Sequence, residues 1–406
     1  MHTSNASKHV IAVKHTNLHK VVIQILTETF CHNKYIDKSI EKWFRQNKKL
    51  GSRDRKFIAE SAYEIVRNWR ILFTSLFEEN GIITPDKIEK IFYFWLSQNN
   101  LIQNSNFIEA SQKYSELRNI PKYHFSVPDW LYEYGCKELG QEKWNTEIES
   151  LSSPAPLVIR CNMLKGTRSE LQNLLANQGI ETNILESCSE ALVIKQKTNI
   201  FKLEEFKNGF FEVQDAGSQL IAPFLEVTQG MRVIDACAGA GGKTLHIAAL
   251  MKNKGSIIAL DVDALKLEEL KKRAKRNAVF NVQQHCIENN KTIKRLENSA
   301  DRLLLDVPCS GIGVLRRNPD AKWKLSEEFL IHLKDKQQYI LSNYAVMLKK
   351  GGKLVYSTCS IFPSENEKQV EIFLQSHPNY ILEEEKTIYP SVFGFDGFYM
   401  ARILKQ

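Results

Sequence analysis

At 406 residues, 43% hydrophobic and 25% charged, the chain has an ordinary globular composition with room for two or three domains. No apolar run reaches the roughly 18 residues a membrane helix needs. The opening MHTSNASKHVIAVKHTN lacks the apolar stretch and small-residue cleavage site of a secretion signal, which predicts a cytoplasmic protein. The net charge of +8 is concentrated before Ile71, where fourteen Lys and Arg face six Asp and Glu; that excess suits a phosphate-bearing partner or a solvated helix face. Eight cysteines show neither a CxxC pair nor an even framework, so free thiols are expected and a zinc site is not.

In chain order, residues 18–78 carry helical periodicity, with Phe57, Ile58, Ala62, Ile65, Trp69 and Leu72 at three- and four-residue steps. Gly51 breaks one helix and Ser52 is placed to cap the next. Further helical signals at 86–98, 106–116 and 129–139 predict an all-α domain over 1–145. Residues 146–209 change character: PLVIRCN and ALVIKQ read as strands around a capped helix in TRSELQNLLANQG, a small α/β subdomain. From 210 to 406 strands predicted at 231–236, 256–261, 282–287, 302–306, 353–358 and 398–404 alternate with helices at 242–252, 264–277, 327–349 and 364–376. That alternation predicts a Rossmann-like α/β core with a mostly parallel, doubly wound sheet, its last strand returning antiparallel at the edge.

Three segments carry chemistry. In MRVIDACAGAGGKT a strand runs into a glycine turn and a helix start, where Gly239, Gly241 and Gly242 admit sharp turns and close ligand approach and the helix offers free N–H groups. A phosphate-binding P-loop would need glycine at Cys237, and the dinucleotide pattern GxGxxG fails at Thr244. Asp261 ends the next strand about 20 residues on, where an acid can take both hydroxyls of a ribose. LLLDVPCSGIGVLRRNPDAKW and LVYSTCSIFPSENE place Cys309 and Cys359 just beyond two apolar strands. In one parallel sheet both thiols would face the crevice outside its carboxyl ends. A lone strand-end cysteine is usually a core residue; two of them in such segments, beside a cofactor-type turn, point to covalent catalysis.

These segments, in this order, resemble the RsmB/NOP/Sun family of RNA cytosine-C5 methyltransferases. FEVQDAGSQLIAP and PLVIRCNMLKGTRSEL are similar to the family's approach to its core, and DRKFIAESAYEIVRNWR resembles part of the NusB-like RNA-binding domain of its RsmB branch. The resemblance implies S-adenosyl-L-methionine as cofactor, held by Cys237, Ala238, Gly239, Ala240, Gly241, Gly242 and Lys243, with Asp261 on the ribose and Glu288 as a further acidic contact. Glutamate stands at 288 where the family has aspartate, and CAGAGGKT replaces CAAPGGKT, which predicts a more flexible turn. It implies Cys359 as the nucleophile that adds to C6 of cytosine, Cys309 as the group assisting release, and Asp306 near the methyl donor and the base. A hydrogen bond from Asp306 to ring N3 would call for a protonated acid; the base that removes the C5 proton is either Cys309 or water.

For RNA, the resemblance implies Arg160 and Asn162 on the RCN strand. Arg316, Arg317 and Trp323, with Asn318, Pro319 and Asp320, are read as a basic and aromatic loop at the site mouth, against the alternative that Trp323 packs beneath the loop and Asp320 caps a helix. Lys34, Lys38, Lys48, Lys49, Arg53 and Arg55 are read as phosphate contacts. The expected partner is small-subunit ribosomal RNA, with transfer RNA as the alternative, and the expected protein is a monomer without metal or membrane attachment. Two other classes fit less well: an inactive RNA-binding assembly factor, disfavoured by the intact thiol pair, and an amino-group methyltransferase, which would carry a polar–Pro–Pro–aromatic motif in place of DVPCSG.

Overall fold

The computed structural model describes residues 16–196 and 198–406, so the opening 1–15, read above as lacking a secretion signal, lies outside the described residues. The chain divides into two compact units, one formed by Met1–Ser153 with Leu315–Glu327, the other by Pro154–Val314 with Glu328–Gln406. Among the described residues no helix is long and apolar enough to cross a membrane.

The first unit is helical: α1 (Thr16–Phe30), α2 (Ile36–Gln46), α3 (Ser52–Arg67), α4 (Trp69–Leu76), α5 (Pro85–Gln98), α6 (Ile108–Leu117), α7 (Asp129–Leu139) and α8 (Gln141–Leu151), with shorter turns between. The apolar stripe of α3 and α4 does what its spacing predicts, burying Phe57, Ile58, Ala62, Ile65, Trp69 and Leu72 against Val22, Ile25 and Leu26 of α1. Ser52 is not the cap of α3: it is the first helical residue, and Asp54 Oδ2 accepts the N–H of Gly51, the capping position, at 3.3 Å.

The second unit holds two sheets. Strands β1 (Leu157–Cys161), β2 (Thr182–Ile184), β3 (Ala191–Ile194) and β4 (Phe211–Val213) form a four-stranded sheet of order β2-β3-β1-β4. One face of it is covered by α9 (Arg168–Ala176), whose start is fixed by a reciprocal cap between Thr167 and Glu170. The larger sheet contains β5 (Arg232–Asp235), β6 (Ser256–Asp261), β7 (Val282–Cys286), β8 (Ala300–Asp306), β9 (Leu348–Thr358), β10 (Tyr380–Ile388) and β11 (Phe398–Lys405), in the order β10-β11-β9-β8-β5-β6-β7. From β9 through β7 all neighbours are parallel. β5, β6, β8 and the second half of β9 are buried apolar runs because helices α10 (Gly242–Leu250), α11 (Ala264–Arg276), α12 (Glu327–Tyr344) and α13 (Glu367–Ser376) alternate with the strands, whereas β7, VQQHC, is polar and partly exposed.

The end of the sheet departs from expectation. β11 is antiparallel, as expected, but it lies between β9 and β10 instead of at the edge. The edge is β10, YILEEEKTI, whose charged, largely exposed face hides it from an apolar-run search. Strand order reverses between β5 and β8, so the crevice for a ligand opens beyond the carboxyl ends of those two strands.

Candidate active site

Four strand ends meet at this crevice. β5 delivers Asp235 and the glycine turn, β6 delivers Asp261, β8 ends at Asp306 three residues before Cys309, and β9 ends at Thr358 next to Cys359. The β8–β9 pairing sets Asp306 opposite Ser357 and continues past the strands, with Val307 N–H donating to Ser357 O at 3.0 Å and Gly313 N–H to Cys359 O at 3.0 Å. This zipper brings residues fifty positions apart together: the Sγ atoms of Cys309 and Cys359 are 3.3 Å apart, both half-buried.

The hydrogen bond with Cys359, burial, and the charges of Cys359 and Glu365 push the Cys309 thiol well above the usual range, so Cys309 holds its proton. Burial, with Asp235, Asp306 and Asp261 around it, raises Cys237 likewise, which makes it a packing thiol in the turn. Asp306 is an acceptor in an ion pair, with Lys243 Nζ at 2.6 Å on one oxygen and Ser357 Oγ at 2.9 Å on the other. Burial works against the Lys243 ammonium, but Asp306 outweighs it and holds the group above the ordinary lysine range. Lys243 also lies 5.5 Å over the ring of Phe398. Both oxygens of Asp306 are thus engaged by side chains of the site.

The glycine turn is braced from behind. Asp261 Oδ2 accepts the Gly239 N–H at 2.8 Å while Oδ1 accepts that of Asp263 at 2.9 Å. Arg273 donates to Ala240 O at 2.7 Å and Arg160 to Gly242 O at 2.7 Å. At the base of the turn, buried Asp235 accepts from Thr244 Oγ1 at 2.7 Å. Gly239 and Gly241 both have positive φ, +52° and +87°, for different reasons. A side chain at Gly241 would meet Leu270 at 2.5 Å, whereas one at Gly239 would meet no atom within 4 Å: the turn packs on its Gly241 side and is open on its Gly239 side. Glu288 is exposed just beyond β7.

Several expected RNA contacts point inward instead. Arg160 is 2% exposed and Asn162 4% exposed. Arg160 donates to Gln214 and to the glycine turn, and Asn162 donates to Gly209 O at 2.8 Å and Asn277 O at 2.9 Å. Arg160 thereby ties β1 to the glycine turn, and Asn162, just past β1, ties it to the residue that ends α11. Arg55 is likewise committed, donating to Leu50 O at 3.1 Å and Asn47 O at 3.3 Å. Lys48, Lys49 and Arg53 are exposed at the turn into α3. Arg316, Arg317 and Trp323 belong to the helical unit. There the Trp323 ring packs on the core, its Nε1 donates to Val66 O at 2.9 Å, and buried Lys322 donates to Arg67 O at 2.8 Å. Asp320 caps a helix, but a distant one: it accepts the N–H of Ile36, the first residue of α2, at 3.0 Å. Trp323 thus follows the packing alternative. Arg273, Ser357 and Glu365 were not anticipated as parts of the site, although Glu365 lies within the quoted STCSIFPSENE and was legible there as an acid near a thiol.

Comparison with known proteins bears on this geometry. A family profile described as 16S rRNA methyltransferase RsmB/F matches residues 222–404, and one described as the RsmF/B-like ferredoxin-like domain matches 127–201. The probable ribosomal RNA small subunit methyltransferase B of Bacillus subtilis (strain 168) is 33% identical over 299 residues, covering 69% of this chain and 67% of that one. The ribosomal RNA small subunit methyltransferase B of Vibrio cholerae serotype O1 is 35% identical over 289 residues, covering 70% and 66%. Among solved structures, a methyltransferase homolog protein from Pyrococcus horikoshii superposes with a TM-score of 0.63 at 26% identity, over 72% of this chain and 99% of that one.

Proposed function

The chain belongs to the RsmB/F family of 16S rRNA methyltransferases, and from that premise we propose that it methylates C5 of a cytosine in small-subunit ribosomal RNA, with S-adenosylmethionine as donor and Cys359 as covalent catalyst. The observation that carries this reading is the thiol pair at 3.3 Å, one member held protonated, beside the Lys243–Asp306 ion pair.

The crevice fits the donor: the turn is open over Gly239, the start of α10 offers N–H groups, and the Asp261 carboxylate stands at the end of β6. Residues 237–243 would hold its methionine part and Asp261 its ribose, with Glu288 the further acidic contact. When bound, S-adenosylmethionine supplies an electrophilic methyl group.

C5 of cytosine is a poor nucleophile, and the protein's task is to change that. The Cys359 thiolate adds to C6, and the ring's electron pair moves to C5, which becomes carbanion-like. Cys309, keeping its proton, is placed to donate to the sulfur of Cys359 as it leaves C6. As the thiolate adds, N3 takes a proton from the Lys243–Asp306 pair by way of the Asp306 carboxyl, which Ser357 also holds, and the proton returns to the pair when the thiolate leaves. Once C5 carries the methyl group, water takes the C5 proton, since Cys309 already holds one, and the electron pair left at C5 expels the Cys359 thiolate from C6. The target base must leave its stack to reach the thiols, and Lys48, Lys49 and Arg53 supply exposed cations for the RNA backbone.

The test is incubation with methyl-labelled S-adenosylmethionine and separate unmethylated ribosomal and transfer RNA, followed by digestion to nucleosides. Label in 5-methylcytidine from ribosomal RNA, lost in Cys359→Ala, is the expected result, and Cys309→Ala should accumulate a denaturant-resistant protein–RNA adduct. Label in transfer RNA alone would move the substrate. Label in another nucleoside, or full activity of Cys359→Ala, would overturn the two-thiol mechanism. A protein that binds RNA and cofactor yet transfers no label to either RNA or to pre-ribosomal particles would be an inactive assembly factor.

A further inference from the structure

Glu365 is 1% exposed, in the turn that follows the Cys359 loop, and each of its oxygens takes two donors. Oε1 accepts the Ser310 N–H at 2.8 Å and Gln337 Nε2 at 3.0 Å. Oε2 accepts Ser310 Oγ at 2.5 Å and Ser360 Oγ at 2.5 Å. All four acceptor positions of a carboxylate are thus filled by donors. Ser310 and Ser360 are the residues directly after the two site cysteines. The surrounding contacts bracket the same two loops: Gln337 also donates to Pro308 O at 3.0 Å, just before Cys309. Asn366 accepts from Thr358 Oγ1 at 2.6 Å and donates to Ser360 O at 3.0 Å, the residues flanking Cys359. The turn itself is tied down by Tyr356, whose hydroxyl donates to Glu365 O at 2.7 Å.

We propose that Glu365 is a positioning residue, a buried carboxylate that clamps the Cys309 and Cys359 loops together and sets the separation of their thiols. The clamp stands on geometry alone; its consequence for catalysis rests on the two-thiol reading above. An apolar contact would close two loops with less desolvation cost than a buried charge. What a carboxylate adds is direction, since four fixed hydrogen bonds define the register of both loops, and a negative field at Cys309. That field is one of the influences holding Cys309 in its thiol form.

The experiment uses the full chain without RNA and two variants. In Glu365→Gln the amide oxygen can keep Ser310 N–H and Gln337, and the amide nitrogen can donate to both serine hydroxyls, so the clamp is rebuilt without its charge. Glu365→Ala removes clamp and charge. The first readout is disulfide formation between Cys309 and Cys359 under diamide, followed by the linked peptide pair in mass spectrometry. Two thiols lose two protons and two electrons, the sulfurs join, and diamide is reduced to its hydrazine. Glu365→Gln should link at least as fast as the wild type, since its Cys309 forms a thiolate more readily, and folded Glu365→Ala, which loses the charge and the clamp, about tenfold or more slowly than Glu365→Gln, because the bridge demands narrow geometry. The second readout is the pH dependence of Cys309 alkylation by iodoacetamide. It should move to lower pH by about one unit in Glu365→Gln, a change a merely structural residue would not cause. Wild-type linking in folded Glu365→Ala overturns the clamp, and an unmoved alkylation profile in Glu365→Gln overturns the charge effect. If Glu365→Ala does not fold, Ser360→Ala, which removes one donor from Oε2, takes its place: linking several-fold slower than wild type supports the clamp, and wild-type linking overturns it. Absence of C5 methylation by the wild type would remove the functional reading while leaving these outcomes intact.

Discussion

Gly239 and Gly241, the two glycines of the turn after β5 that have positive φ, make opposite predictions for the same substitution. At Gly241 a methyl group would sit 2.5 Å from Leu270 Cγ and 3.0 Å from its Cδ1, against a normal carbon–carbon contact of about 3.5–4.0 Å. Leu270 is fully buried, so it has no room to yield. Left-handed backbone costs a non-glycine residue about 1–2 kcal/mol, and overpacking adds about 1–3 kcal/mol. Gly241→Ala should therefore lose about 2–5 kcal/mol. At Gly239, with φ of +52° and no atom within 4 Å, only the backbone contribution of about 1–2 kcal/mol remains. The methyl instead occupies the open side of the turn, where the cofactor would lie, and affinity for S-adenosylmethionine should fall about tenfold or more, the equivalent of about 1.4 kcal/mol. Urea unfolding of the unloaded protein measures the first effect and titration calorimetry with S-adenosylmethionine the second. If Gly241→Ala costs no more than Gly239→Ala, the packing argument fails; if Gly239→Ala binds cofactor as tightly as the wild type, the open side is not the ligand's side.

Burial raises the Asp235 carboxyl from 3.8 to about 7 even though Thr244 donates to it. Below about pH 4 both folded and unfolded chains are protonated there; between about 4 and 7 only the unfolded chain gives up the proton, so this group makes stability fall as pH rises, by about 4 kcal/mol in all. Asp235→Asn, which keeps an acceptor for Thr244, should be more stable than wild type at pH 8 and show little advantage at pH 4; equal urea midpoint differences at the two pH values would refute this. Arg160→Met should leave Gln214 and Gly242 O without their buried donor and cost about 2–3 kcal/mol, while filter binding of RNA by the folded variant stays at the wild-type level. Weakened RNA binding at unchanged stability would instead put Arg160 in contact with RNA.

Much of the fold was legible because its parallel strands are buried on both faces. Runs such as MRVID, IIALD and LLLD announce themselves by apolar content, and the turn after each by glycine, aspartate or proline. β10 stayed hidden because an edge strand carries exposed charge, and the insertion of β11 beside β9 is a choice between pairing partners that no short-range signal records. The thiols and the glycine turn were visible as chain-local patterns. Arg160, Asn162 and Arg55 were misread because a polar side chain looks the same in sequence whether it reaches for a phosphate or for a buried carbonyl. Trp323 posed the same ambiguity, and a backbone carbonyl in the 52–67 helix resolved it.

The amino-acid order by itself determined the α/β class, the thiols and acids at the strand ends, and the positions of the sharp turns, since each depends on residues within a few places of one another. Only the tertiary structure decided that Cys309 and Cys359 lie 3.3 Å apart, that Lys243 neutralises Asp306, and that one carboxylate, Glu365, grips both thiol loops. Those relations join residues far apart along the chain. Hydrogen bonds and ion pairs act over about 3 Å in space, and which distant groups come that close is set by strand order and register.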